Sequence, residues 1–242
     1  MNRQFWLGVG VGLVGASLLQ QRQKNSLTQE RLDAYYHRRA GDYNATDNLN
    51  FLGRYPRIEM RLLVMDLAAL KPGDKVLDFA CGAGANFPYI MERIGPTGKL
   101  VGVDYSAEML AEAQGVIDRG GWTNVELIQS DAATMQPGTD FDVVLCTLGL
   151  VVIPRYEMAM QAAWDSLKPG GTYAIADLCE SERWYGKLLG FAMNLMDILI
   201  IIDTTRRPWE WLAARAKNFY REDLFFGIFY AAVGKKPVEE NQ

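Results

Sequence analysis

The chain has 242 residues, 49% of them hydrophobic, with 25 Lys and Arg against 29 Asp and Glu, for a net charge of −4. That is enough apolar material for one α/β core with additions; there is no basic field of the kind duplex binding needs, so no nucleic-acid partner is expected and small or lipid-like substrates are favoured. The single histidine, His37, and the three scattered cysteines Cys81, Cys146 and Cys179 fit neither a disulfide framework nor a zinc site, so reduced thiols and no metal are expected.

The first segment departs from a soluble composition. FWLGVGVGLVGASLL, Phe5 to Leu19, carries no charge and is bracketed by Arg3 on one side and Arg22 and Lys24 on the other. A helix over it would cover roughly 22–25 Å, a little short of a ~30 Å hydrocarbon core, so a thin-bilayer span and a shallow insertion both fit. A secretory signal cleaved near Val14-Gly15-Ala16 and a buried helix are the rivals. Residues 1–25 are read as an N-terminal membrane anchor; the basic excess after the run then puts the catalytic domain on the cytosolic side. Gly8, Gly12 and Ala16 stand at small-x-x-x-small spacing, which would let two such helices approach as a homodimer.

Ser26 and Gln29 form a capping box ahead of RLDAYYHRRA, after which GDYNATDNLNFLGRYPR reads as loop with short helical turns. Residues 26–74 are therefore a helical cap segment. From Lys75 to residue 235 short β-rich runs alternate with helical stretches: KVLDFA, KLVGVD, VELIQSD, FDVVLCTLGL and GTYAIADL. The pattern predicts a mostly parallel, doubly wound sheet. A helical insertion over 180–217 contains the apolar run LLGFAMNLMDILIII and then DTTRRPWEW. It is either a core helix closing a pocket or a lid admitting a lipid, with Trp209 and Trp211 at interface depth and Arg206 or Arg207 near anionic head groups. Asp197, costly inside such a run unless paired or wet, is a candidate substrate contact. NFYREDLFFGIFYAAVGKK ends the fold as an antiparallel hairpin turning at Gly227, followed by a frayed KKPVEENQ tail.

VLDFACGAGANFPYI, Val76 to Ile90, carries the chemistry. It looks like a dinucleotide fingerprint, but Phe87 stands where the third glycine would pack helix against strand. Gly82 and Gly84 let the backbone approach a ligand, while Asp78 at the end of the first strand would repel a pyrophosphate. That carboxylate suits an ammonium, or could orient the glycine loop through its N–H groups, so an amino-acid-bearing cofactor fits better than NAD or FAD. Asp104, closing KLVGVD, is placed to accept from two ribose hydroxyls, and Asp131, closing VELIQSD, from the exocyclic amino group of a base.

VLDFACGAG, LVGVDYSAEML, IQSDA, FDVVLCTLGL and LKPGGTYAIAD, in this order and spacing, resemble the successive motifs of class I S-adenosylmethionine-dependent methyltransferases over roughly Tyr43 to Leu178. The resemblance implies a Rossmann-like fold and S-adenosyl-L-methionine as cofactor. It sets Asp78, Ala80, Gly82 and Gly84 around the methionine portion, Asp104 on the ribose, Tyr105 and Met109 near the adenine, and Asp131 with Ala132 at its amino edge. Ala80 replaces the commoner glycine. RAGDYNATDNLNFLGRYPRIEMR is similar to the segment preceding the first strand in ubiquinone/menaquinone C-methyltransferases and in phospholipid and betaine-lipid N-methyltransferases. By that resemblance Tyr43 closes over the cofactor, and Asn48 and Arg57 lie near the substrate entrance.

Methyl transfer is an in-line displacement that needs alignment and a dry pocket rather than an obligatory side-chain catalyst. A phenolic acceptor would still lose a proton, for which His37 is the available base, against a structural role on a tyrosine-rich helix. The expectation is a methyltransferase acting on a lipophilic membrane-derived substrate, a quinone precursor or a lipid head group. The alternatives are methylation of a soluble small molecule or thiol, a non-catalytic cofactor-binding subunit of a membrane complex, and a nucleotide-dependent reductase.

Overall fold

Residues 51–186 and 202–238 are described by the computed structural model, with side chains from residue 57. The apolar run at Phe5–Leu19 and most of LLGFAMNLMDILIII lie outside these residues, as do the anchor and homodimer expectations that rest on the former. Among the described residues no helix is long and apolar enough to cross a membrane.

The elements are α1 (Phe51–Ala68), β1 (Lys75–Phe79), α2 (Phe87–Ile94), β2 (Lys99–Asp104), α3 (Ala107–Gly120), β3 (Val125–Gln129), β4 (Phe141–Thr147), α4 (Tyr156–Ser166), β5 (Leu167–Leu178), α5 (Pro208–Ala213), β6 (Lys217–Leu224) and β7 (Phe229–Lys235). Seven strands form one sheet in the order β3-β2-β1-β4-β5-β7-β6. β1 to β5 pair in parallel. β7 returns antiparallel between β5 and β6, so the expected hairpin is present, with β6 as the outer strand.

The central strands are apolar on both faces because both faces are covered. Met60 and Val64 of α1, Phe87 and Ile90 of α2, and Leu110 and Ala113 of α3 fill one side. Ala159, Met160 and Trp164 of α4 with Trp209 and Leu212 of α5 fill the other. Local signals set the helix ends. Ser106 caps α3 by accepting from the Met109 N–H, and Gly121 closes it at φ 64°.

Two expectations change here. Residues 51–57, read as loop with short helical turns, form one continuous helix with 58–68, and α1 packs on the sheet: Met60, Val64, Met65 and Ala68 recur at helical spacing and are buried in the core. Trp209 and Trp211 are not at an interface. Trp209 packs edge-on against Tyr230 at 4.7 Å under the Arg221 guanidinium, and Trp211 packs against Trp164 and Tyr173.

Candidate active site

Strand order reverses between β1 and β4, and ligands of such sheets bind beyond the carboxyl ends at that point. An open cleft of about 870 Å³ lies there. The turn after β1 (Ala80–Ala85), the end of β2 (Asp104–Ser106), Asp131 and Ala132 after β3, and the β4–α4 loop (Leu148–Pro154) wall it, with Arg61 of α1 and Met109 of α3.

The glycine turn is held from β2. Asp104 accepts from the Gly82 N–H at 2.7 Å with one carboxylate oxygen and from the Ser106 N–H at 3.0 Å with the other. Burial raises its pKa and these bonds oppose that shift. Gly82, at φ 55°, faces space: a Cβ there would meet nothing within 4 Å. Phe87 answers the missing third glycine. Its ring fills the contact between helix and sheet, so a Cβ on Gly84 would sit 2.8 Å from it and a Cβ on Gly102 2.9 Å. Phe87 thus dictates both glycines.

Ala80 takes the left-handed φ of 54° that glycine adopts more freely, and Leu148 across the cleft takes 57°. Neighbouring Gly149 leaves room for the Ala80 methyl, since a Cβ at 149 would lie 2.8 Å from it. Strain of this kind clusters at functional sites.

Asp78 is placed otherwise than expected. It is fully buried and does not wall the cleft; both its oxygens accept from Asn86 Nδ2 at 3.0 Å. Asp104, not Asp78, orients the glycine loop. Asn86 also donates to Thr147 Oγ1 at 2.9 Å, and Arg61 Nη1 donates to Asn86 Oδ1 at 2.5 Å and Thr147 Oγ1 at 2.7 Å. Burial lifts the Asp78 pKa to about 7, against the lowering effects of Asn86 and Arg61. The network delivers Arg61, only 8% exposed, to the wall of the cleft.

At the other end Tyr105 is 44% exposed beside the buried Met109 and Ala132. Asp131 accepts from the Ala133 N–H at 2.8 Å and pairs with Arg155 at 2.6 Å. Each carboxylate oxygen keeps a second lone pair for a ligand amino group. Arg61, Asn86, Thr147 and Arg155 are the site residues the sequence did not single out. Asn86 was legible only as a residue of the glycine segment, and Arg61 only as one position among many in α1.

Arg57 stands one turn before Arg61, half-buried and off the cleft wall. Tyr43, Asn48, Asp197 and His37 lie outside the described residues. Arg206 is not free for head groups: its side chain is 9% exposed and Nη1 donates to the Leu150 and Ile153 carbonyls, each at 2.5 Å. Cys81, Cys146 and Cys179 are buried free thiols, and burial pushes each pKa up, that of Cys179 to about 12. Among the described residues no three His, Cys, Asp or Glu side chains gather as a metal site.

A doubly wound sheet with a glycine turn anchored by an acid at the end of β2 is an architecture that binds nucleoside-containing cofactors. A methyltransferase-domain family model matches residues 70–203. A demethylmenaquinone methyltransferase of Listeria welshimeri is 33% identical over 166 residues, 67% of this chain and 70% of that protein. One from Staphylococcus carnosus is 27% identical over 222 residues, 89% of each. Among solved structures, an S-adenosylmethionine-dependent methyltransferase from Aquifex aeolicus shares the fold, with a TM-score of 0.54 at 21% identity over 74% of this chain and 92% of that one. The chain belongs to the class I S-adenosylmethionine-dependent methyltransferases. It is an enzyme, and S-adenosylmethionine is its cofactor.

Proposed function

We propose that the enzyme methylates a lipophilic acceptor of the demethylmenaquinone type, a reduced quinone ring carrying an apolar tail. The observation that carries the reading is the β4–α4 loop. Leu148, Val152, Ile153 and Pro154 form an apolar wall opposite the glycine turn, on the side where an acceptor must approach the methyl group. The names of the Listeria and Staphylococcus relatives point the same way.

The residues divide the work as follows. Arg61, fixed by Asn86 and Thr147, pairs with the cofactor carboxylate. Ala80 and Gly82 would line the methionine chain, with Gly84 behind them against Phe87, and Asp104 would accept from the ribose hydroxyls while still holding the turn. Tyr105 and Met109 would hold the adenine, and Asp131 with Ala132 would meet its amino edge. Asp78 acts through Asn86 without touching the ligand. When bound, S-adenosylmethionine supplies a methyl group on a sulfonium, displaced in line by the acceptor carbon. The apolar wall keeps water from that line. A hydroquinone ring is nucleophilic once a hydroxyl proton leaves to water; after the carbon–methyl bond forms, the hydrogen on that carbon leaves as a proton and the oxygen regains one, restoring the aromatic ring with one net proton released, so no side chain is assigned as catalyst.

The N-terminal run, on this reading, anchors the enzyme to a bilayer with its catalytic domain on the cytosolic side. Incubating the full chain with deuteromethyl cofactor and, separately, total lipid and water-soluble metabolite fractions tests the substrate class. Label in the lipid fraction is expected. Label confined to soluble thiols or amines would overturn the reading.

A further inference from the structure

The carboxyl edge of the sheet also carries an exposed aromatic cluster. Trp184 is 77% exposed, Phe226 57% and Tyr185 38%. Trp184 and Tyr185 meet edge to face at 5.6 Å, and Tyr185 and Phe226 at 5.9 Å. Two segments are docked to make it. Ser181 Oγ donates to the Phe226 carbonyl at 2.6 Å, and a Cβ on Gly186 would lie 2.1 Å from that hydroxyl oxygen and 2.6 Å from the same carbonyl, so the turn at 181–186 seats on the β6–β7 turn only through a glycine.

The β6–β7 turn holds its shape at a cost. Phe225 and Phe226 take φ of 47° and 60°, the left-handed region that side chains avoid. A strained backbone presenting a phenyl ring to solvent calls for a function that offsets it. Its place supplies one. β7 starts opposite the end of β5, with Phe229 paired to Leu178, and Leu178 packs with Val151 and Val152 of the loop that walls the cleft. The aromatics therefore stand on the edge where the acceptor enters.

We infer that Trp184, Tyr185 and Phe226 dock this edge on the interfacial layer of a lipid bilayer, so that the acceptor passes from bilayer to cleft without crossing water. Trp and Tyr favour head-group depth, where an apolar ring and a polar tip are both satisfied. The surrounding charge selects the surface. Among the described residues Arg207 is paired with Glu182 and Glu210, and Arg183 donates to the Tyr185 hydroxyl at 3.1 Å, so the cations beside the rings are already engaged and the aromatic rings rather than a basic field mark the surface. Insertion of the rings, not charge, docks this edge of the anchored enzyme, and a zwitterionic surface suffices. This rests on the lipophilic-acceptor reading.

The test uses the full chain and phosphatidylcholine vesicles with bromine near the head-group end of the acyl chains. With Trp6 of the N-terminal run replaced by Phe in every sample, part of the tryptophan emission should be quenched, that part should vanish in Trp184→Phe, and added salt should not restore it. Phe226→Gly relieves the backbone strain, so it should fold at least as stably while transfer to a bilayer-embedded quinol falls about tenfold, the loss expected for one inserted ring. Transfer to a short-chain quinol dispersed in buffer should be unchanged in both variants. Equal quenching with Trp184 present and with Trp184→Phe, both in the Trp6→Phe background, would overturn the inference. So would shielding of Trp184 from an aqueous quencher that rises with protein concentration in the absence of vesicles, which would make the surface a contact between copies. Failure to methylate any quinol, with Trp184-dependent quenching intact, would remove the acceptor reading and leave the surface standing.

Discussion

Replacing Arg61 by Met tests the methionine end of the cleft. The guanidinium is 8% exposed, held by two short bonds from Nη1, and faces the place assigned to the cofactor carboxylate. A hydrogen bond between charged groups contributes about 1.5–3 kcal/mol, and truncating one member of a buried charge pair costs about 2–5 kcal/mol. Affinity for S-adenosylmethionine should therefore fall by roughly 2–4 kcal/mol, about 30- to 1,000-fold. The variant also loses the bonds to Asn86 and Thr147, so a loss of affinity alone could report damage to the network. Calorimetric titration with S-adenosylmethionine and with its decarboxylated analogue separates the two. The wild type should prefer the carboxylate-bearing cofactor and Arg61→Met should not, leaving a coupling energy between arginine and carboxylate. If the variant loses the same factor for both ligands, or none for either, Arg61 does not bind the carboxylate.

Asp104→Asn should weaken cofactor binding by about 1.5–3 kcal/mol with the circular dichroism of the fold retained, because a charged acceptor of ribose hydroxyls is lost; unchanged affinity in titration would remove Asp104 from the site. Burial holds the Asp177 pKa at about 7, well above the ordinary carboxylate value. A raised folded-state pKa contributes stability below the unfolded value that is lost as pH rises through about 7. Asp177→Asn should then compare better with wild type in urea denaturation at about pH 8 than at about pH 5, and an equal difference at both would contradict the burial argument. Arg206→Ala leaves the Leu150 and Ile153 carbonyls without their donor. It should raise the cofactor dissociation constant about tenfold by loosening the wall, with partial recovery in Arg206→Lys; wild-type affinity in the alanine variant would show that the loop holds itself.

The parallel sheet and the terminal hairpin were legible because each strand is a short apolar run ended by glycine, proline or an acid, and burial on both faces leaves little else such runs can form. That the strand ends share one crevice was legible for a related reason: in a doubly wound sheet they converge there, and Gly82, Asp104 and Asp131 line one cleft. Asp78 escaped because the same strand-end position can face the ligand or the interior, and only Asn86 on the next helix decides between them. Arg61 escaped because its partners lie 25 and 86 residues away, beyond the reach of any local pattern. Residues 51–57 read only as loop with short helical turns because Gly53 and Pro56 are helix-averse, whereas the burial of Met60, Val64 and Met65 against the sheet outweighs a missing bond at the first turns. Arg206, Trp209 and Trp211 read as an interface because cations and aromatics are common there. Loop carbonyls needing a donor and a core needing large rings recruit the same residue types inward.

The most direct measurement of the central claim is the position of the label after full-length enzyme, deuteromethyl S-adenosylmethionine and a demethylated naphthoquinone are combined, with the quinone kept reduced in one sample and oxidised in the other. The account predicts a deuterated methyl on the ring carbon of the reduced acceptor, S-adenosylhomocysteine in equal amount, and no product from the oxidised one. Cofactor turnover with a soluble thiol or amine, together with no label on either quinone form, would contradict it.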